Sequence, residues 1–146
     1  MKNIYQNLTS REKKSHIKKM KQYIFSSAIL LILDILWISI YMKNKYIKQI
    51  RKIQNYDMKI NIIAGLLSYT LMILGLCVFV IPKISSEKHL QDSLIYGGLF
   101  GLIVYGIFDF TNMAVLEKWD TRLALIDIAW GSFVYSISGF IGTLIE

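Results

Sequence analysis

Apolar residues along this chain fall into four long runs separated by short polar stretches. The runs 23–42, 60–81, 93–116 and 123–145 are almost free of charge. Each has roughly 20 residues or more, enough to cross ~30 Å of hydrocarbon at ~1.5 Å per residue. A soluble protein with four buried core helices would need more polar chain to cover them than remains here. The pattern predicts an all-α membrane protein, with four transmembrane helices in a compact bundle and a basic N-terminal helix or tail before the first. Its parts are a tail at 1–21 and an integral, multi-pass membrane domain at 22–146.

The N-terminal tail and the 43–59 loop are basic, while the 83–92 and 117–122 turns are polar and balanced in charge. In the tail, Thr9 and Glu12 have capping-box spacing, which predicts a helix starting near Ser10. Residues 43–59 hold six Lys or Arg, and Ile47, Ile50 and Ile53 recur there at helical spacing. That pattern reads as an amphipathic helix on the membrane surface. Pro82 marks the end of the second run. The expected partners are the lipid bilayer and, through the 1–21 tail and the 43–59 loop, anionic headgroups. Nucleic acid is not an expected partner, because no aromatic residues interleave the tail's charges.

Composition agrees with this pattern. The 146 residues are 54% hydrophobic and 18% charged, against about 25% charged in typical soluble domains. The single Cys77 excludes an intrachain disulfide. His16 and His89 stand alone, so no metal site and no cofactor is predicted. The side holding the N-terminus, the 83–92 turn and the C-terminus is called side A. It carries nine Lys or Arg. Side B, with the 43–59 loop and the 117–122 turn, carries eight. So near a tie leaves orientation open under the positive-inside rule.

Three acids lie inside the runs: Asp34, Asp109 and Asp127. All are roughly 9–12 Å from the side-B boundary at ~1.5 Å per residue. An Asp facing lipid costs about 2.5–3.5 kcal/mol on insertion scales, so they are expected to face one another's helices. Donors occur at matching depth, among them Ser68, Tyr69 and Tyr105, with Thr111 and Asn112 after Asp109. Asp34-Ile-Leu-Trp37 and Asp127-Ile-Ala-Trp130 repeat one motif, with acid and indole on a single helix face. The expectation is one polar pocket open toward side B, walled by Trp37 and Trp130 and floored by the acids. Trp119, near a span end, reads as an interfacial belt residue.

These residues resemble the small membrane proteins grouped as domain of unknown function 2177. The segments that carry the resemblance are LDILWIS at 33–39, YGGLFGLIVYGIFDFTNMAVLEKW at 96–119 and LIDIAWGS at 125–132. It covers about residues 22–146. Phe108 stands where the family usually has Tyr, and the basic tail is extra. The resemblance implies four spans and singles out Asp34, Trp37, Asp109, Thr111, Asn112, Asp127 and Trp130. It implies no substrate.

The functional expectation is a pocket that binds or transports a proton, a cation or a small polar solute, working as a homo-oligomer if it transports. One alternative is a membrane-embedded enzyme acting on lipids or isoprenoids. No nucleophile–base arrangement supports that reading, so no catalytic residue is assigned. The other is an assembly protein whose acids only hold helices together.

Overall fold

The computed structural model describes residues 10–145, with side chains from residue 12 onward. Thr9 and the capping box built on it lie outside the described residues. From Ser10 to Gln54 the backbone is helical without a break. α1 (Ser10–Leu36) runs through a π turn, Trp37–Met42, into α2 (Lys43–Gln54). The helix predicted to start near Ser10 is present, and the described part of the tail and the basic segment 43–54 are the two ends of the helical run that carries span one. The physical reason is that no Gly or Pro interrupts this stretch. α2 stops at Asn55, which is left-handed with φ 61°, a conformation Asn tolerates.

α3 (Ile62–Gly75) starts at Asn61, whose side chain accepts the Ala64 N–H at 3.1 Å. It continues through a π turn, Leu76–Val80, and ends in a 3₁₀ turn holding Pro82. α4 (His89–Asp92) leads through a third π turn, Ser93–Gly97, into α5 (Gly98–Val115). Asp120 caps α6 (Thr121–Thr143), accepting the N–H groups of Arg122 and Leu123 at 2.9 and 3.1 Å. Among the described residues there is no strand. Among the described residues four helical runs are long and apolar enough to span a bilayer: Glu12–Gln54, Ile62–Lys83, His89–Val115 and Thr121–Thr143. The protein is an all-α, multi-pass integral membrane protein.

α6 is the centre of the bundle. It packs along both α5 and α1, and half of its most apolar window is buried, against 11% for Ile62–Lys83. Close approach depends on missing side chains. A Cβ on Gly101 would strike the Gly131 carbonyl, and one on Gly142 would strike Ser26. Gly101 and Gly142 thus stand where α5 and α1 come closest to α6. Leu30, Leu76, Val80, Val134 and Tyr135 fill the core. Ile32, Leu66, Leu71, Ile107 and Phe110 point outward toward lipid. At side A the helix ends are tied together. Gln22 Nε2 donates to the Thr143 carbonyl at 3.1 Å, and His89 Nδ1 lies 3.1 Å from Thr143 Oγ1.

Candidate functional site: paired acids and indoles between the spans

The chain has three Trp, and each donates its indole N–H to one of the three intramembrane acids. Trp37 Nε1 donates to Asp127 Oδ1 at 3.0 Å, and Trp130 Nε1 to Asp34 Oδ1 at 3.1 Å. The two Asp-Ile-x-Trp motifs exchange partners. α1 and α6 run antiparallel, so two identical motifs facing each other are read in opposite directions. Each acid then meets the other motif's indole. Side chains three apart project from one helix face toward a neighbour, and they reach across the interface instead of along their own helix. The two indoles stack with centroids 4.4 Å apart and planes 5° from parallel.

Tyrosines complete the pairs. Tyr105 donates to Asp34 Oδ1 at 2.6 Å, and Tyr46 to Asp127 Oδ2 at 2.8 Å. Tyr46 and Trp37 thus hold the same carboxylate from nine positions apart. In an ideal α-helix nine residues make about two and a half turns, which sets the two on opposite faces. The π turn at Trp37–Met42 shifts that phase and brings Tyr46 back to α6. Tyr46 and Tyr135 are functional-site candidates that sequence reasoning missed. The available signal for Tyr46 was its place in a basic helix whose other apolar residues are aliphatic.

Asp109 is separate. It is 1% exposed, and Oδ1 accepts from Trp119 Nε1 at 3.1 Å, ten residues on in the chain. Its Oδ2 has no hydrogen-bond partner among the described residues. Trp119 is therefore not only a belt residue; it folds back from the α5–α6 turn to cover the third acid.

A cleft of about 510 Å³ lies beside the paired acids. Its polar lining is Asp34, Asp127, Ser68 and the phenols of Tyr46, Tyr69, Tyr105 and Tyr135. Its apolar lining includes Ile38, Leu71, Met72, Val104 and Phe108, and it meets Gly65 of α3. Ile38, Leu71 and Phe108 are exposed on the outside of the bundle, so the cleft opens sideways toward lipid as well. It exists because α3 stands off from the rest of the bundle at this level; a Cβ on Gly65 would have nothing within 4 Å.

The structure brings Asp34, Tyr69, Tyr105 and Asp127 to one cleft. The other predicted pocket residues are placed differently. Trp37 and Trp130 do not line the cleft, because their rings are stacked on each other and their N–H groups are committed to the acids. Asp109 also stands outside the cleft lining. Thr111 is exposed, and Asn112 Nδ2 donates to the Phe108 carbonyl of its own helix at 2.9 Å. Each of the three acids accepts at least one N–H or O–H bond, and no two of them lie on one helix. Among the described residues no group of three or more His, Cys, Asp or Glu could hold a metal.

A family model described as "Predicted membrane protein (DUF2177)" matches residues 19–144. No curated protein and no solved structure matches the chain. The matched region takes in both Asp-Ile-x-Trp motifs, Asp109 and Trp119.

Proposed function

The chain belongs to the DUF2177 family of predicted membrane proteins, and from that premise we propose that it binds a small cation or polar solute in the cleft beside Asp34 and Asp127. The supporting observation is the lining itself. Two carboxylates from different spans share about 510 Å³ with four tyrosines, Tyr46, Tyr69, Tyr105 and Tyr135. Carboxylates recognise a cation, and phenols supply both donors and acceptors to a hydroxylated solute. Indole N–H bonds fix both acids, so their geometry is set before the ligand arrives.

Transport of that solute, or of a proton, is an extension of this reading. It requires the side-A ends, tied through Gln22, His89 and Thr143, to open in turn. A homo-oligomer belongs to the same extension, since four spans are few for a carrier. A second reading, a lipid- or isoprenoid-modifying enzyme, draws support from the lateral opening past Ile38, Leu71 and Phe108. The basic ends of the first helical run are proposed to contact anionic headgroups.

The test is thermal unfolding of the purified full chain against a panel of alkali, alkaline-earth and quaternary ammonium cations and polyols. Wild type is compared with Gly65→Leu, which fills the open space in the cleft and leaves the acids in place. A compound that stabilises wild type but not Gly65→Leu supports binding in the cleft. A panel that stabilises neither, or both equally, counts against it.

A further inference from the structure

A second cavity, also about 510 Å³, lies on side B between α2 and the first turns of α6. Neither Asp34 nor Asp127 lines it, so it stands apart from the cleft and its role is independent of the one proposed there. Lys45, Lys48, Gln49 and Lys52 line it from one face of α2, at the i, i+3, i+4, i+7 spacing that puts side chains in a row. Arg122 lines it from α6, beside Leu123 and Ile126. One acid, Asp120, is present, and its Oδ1 already caps the N–H groups of Arg122 and Leu123.

Among the described residues, these cations have no carboxylate partner. The one ion pair among the described residues is Arg51–Asp57, and neither of those residues lines this cavity. Lys45 lies over the Tyr41 ring, and Lys52 contributes its carbonyl to Lys118 Nζ. Four like charges around one space repel each other until an anion enters. Gln49 provides the independent sign of a ligand. It is 5% exposed, lines the cavity, and neither its Nε2 nor its Oε1 has a hydrogen-bond partner among the described residues. A buried amide with both ends unmatched is costly and rare. A ligand offering both an acceptor oxygen and a hydroxyl would match it.

We propose that this cavity is a binding site for an anionic phosphate group. Lys45, Lys48, Lys52 and Arg122 take the charge, and the Gln49 amide bonds a phosphate oxygen and an adjacent hydroxyl. The start of α6 adds its partial positive charge. Leu123 and Ile126 give the other wall an apolar surface suited to the glycerol and first methylenes of a lipid. This is a bounded site for one headgroup, distinct from the diffuse attraction of a basic surface for a bilayer.

The experiment is a binding titration of the full chain in neutral detergent, followed by its tryptophan fluorescence and thermal unfolding. The probes are a short-chain phosphatidic acid, phosphatidylcholine of the same chain length, and inorganic phosphate. The variants are Lys48→Gln, Arg122→Gln, Gln49→Leu and, as a control outside the cavity, Lys13→Gln. Saturable binding of phosphatidic acid, weakened ~tenfold by Lys48→Gln or Arg122→Gln and untouched by Lys13→Gln, supports the site with a lipid as its source. The same variant pattern with inorganic phosphate alone supports the site with a soluble source. Gln49→Leu keeps a folded protein testable, because it relieves the unmatched amide. It is expected to raise stability without ligand while lowering phosphate affinity. Binding that does not saturate and falls equally with Lys13→Gln overturns the proposal, and so does no binding of either phosphate probe.

Discussion

Trp37 and Trp130 stack 4.4 Å apart, nearly parallel, while each donates its N–H to the acid that precedes the other. This reciprocal pair joins the first and last spans of the chain. It turns two intramembrane carboxylates, each costly alone, into one closed set of hydrogen bonds with defined geometry.

Exchange of partners has a measurable signature. Double-mutant cycles on Trp37→Phe with Asp127→Asn, and on Trp130→Phe with Asp34→Asn, are expected to give couplings of ~0.5–1.5 kcal/mol. The same cycle on Trp37 with Asp34, neighbours on one helix, is expected to give close to zero. Unfolding equilibria in mixed micelles provide the free energies. A large coupling within one motif and none across would contradict the exchange.

The three acids are expected to respond differently to loss of charge. Asp34 Oδ1 accepts from both Tyr105 and Trp130, so Asp34→Asn weakens two buried hydrogen bonds and destabilises by ~1–3 kcal/mol. Asp109 has a buried oxygen with no partner among the described residues. Asp109→Asn is expected to be neutral or stabilising. Melting temperatures of the two variants in one detergent decide this; equal losses would mean that the acids act only as structural hydrogen-bond acceptors.

Glycine positions divide in the same way. Gly101→Ala drives a methyl into the Gly131 carbonyl and is expected to cost several kcal/mol, on the order of a core overpacking change or more. Gly65→Ala enters open space and is expected to be neutral or to gain up to ~1 kcal/mol from helix propensity. Yield and thermal stability of the two variants make the comparison. A stable Gly101→Ala would mean that α5 and α6 cross less closely than the structure has them.

Tyr46 anchors α2 to the bundle through Asp127. Tyr46→Phe removes one hydrogen bond to a buried carboxyl group, costing about 1–3 kcal/mol. Hydrogen exchange is expected to quicken across Lys43–Gln54 while α6 stays protected. Unchanged exchange in α2 would show that the bond is incidental.

Much of the molecule was legible in the sequence because membrane insertion writes itself into composition. In hydrocarbon a single chain spans most readily as long apolar helices, so four nearly uncharged runs point to four spans. Where α5 and α1 meet α6 most closely was decided by the packing, at Gly101 and Gly142, where a Cβ would clash. Asp34, Tyr105 and Asp127 announced themselves as polar groups in apolar runs. Tertiary structure alone decided their partners. Periodicity says which face a side chain occupies, not which neighbour meets it. The antiparallel contact of α1 with α6 makes the two motifs exchange bonds and turns both indoles into braces instead of pocket walls. The π turn at Trp37–Met42 carries no strong sequence signal, yet its change of phase brings Tyr46 to Asp127 and folds α2 over the start of α6. Trp119, read as a belt residue from its position, reaches back to Asp109 because the turn after α5 is tight. In each case the side chain's chemistry was written locally, and its partner was set by how helices distant in sequence pack together.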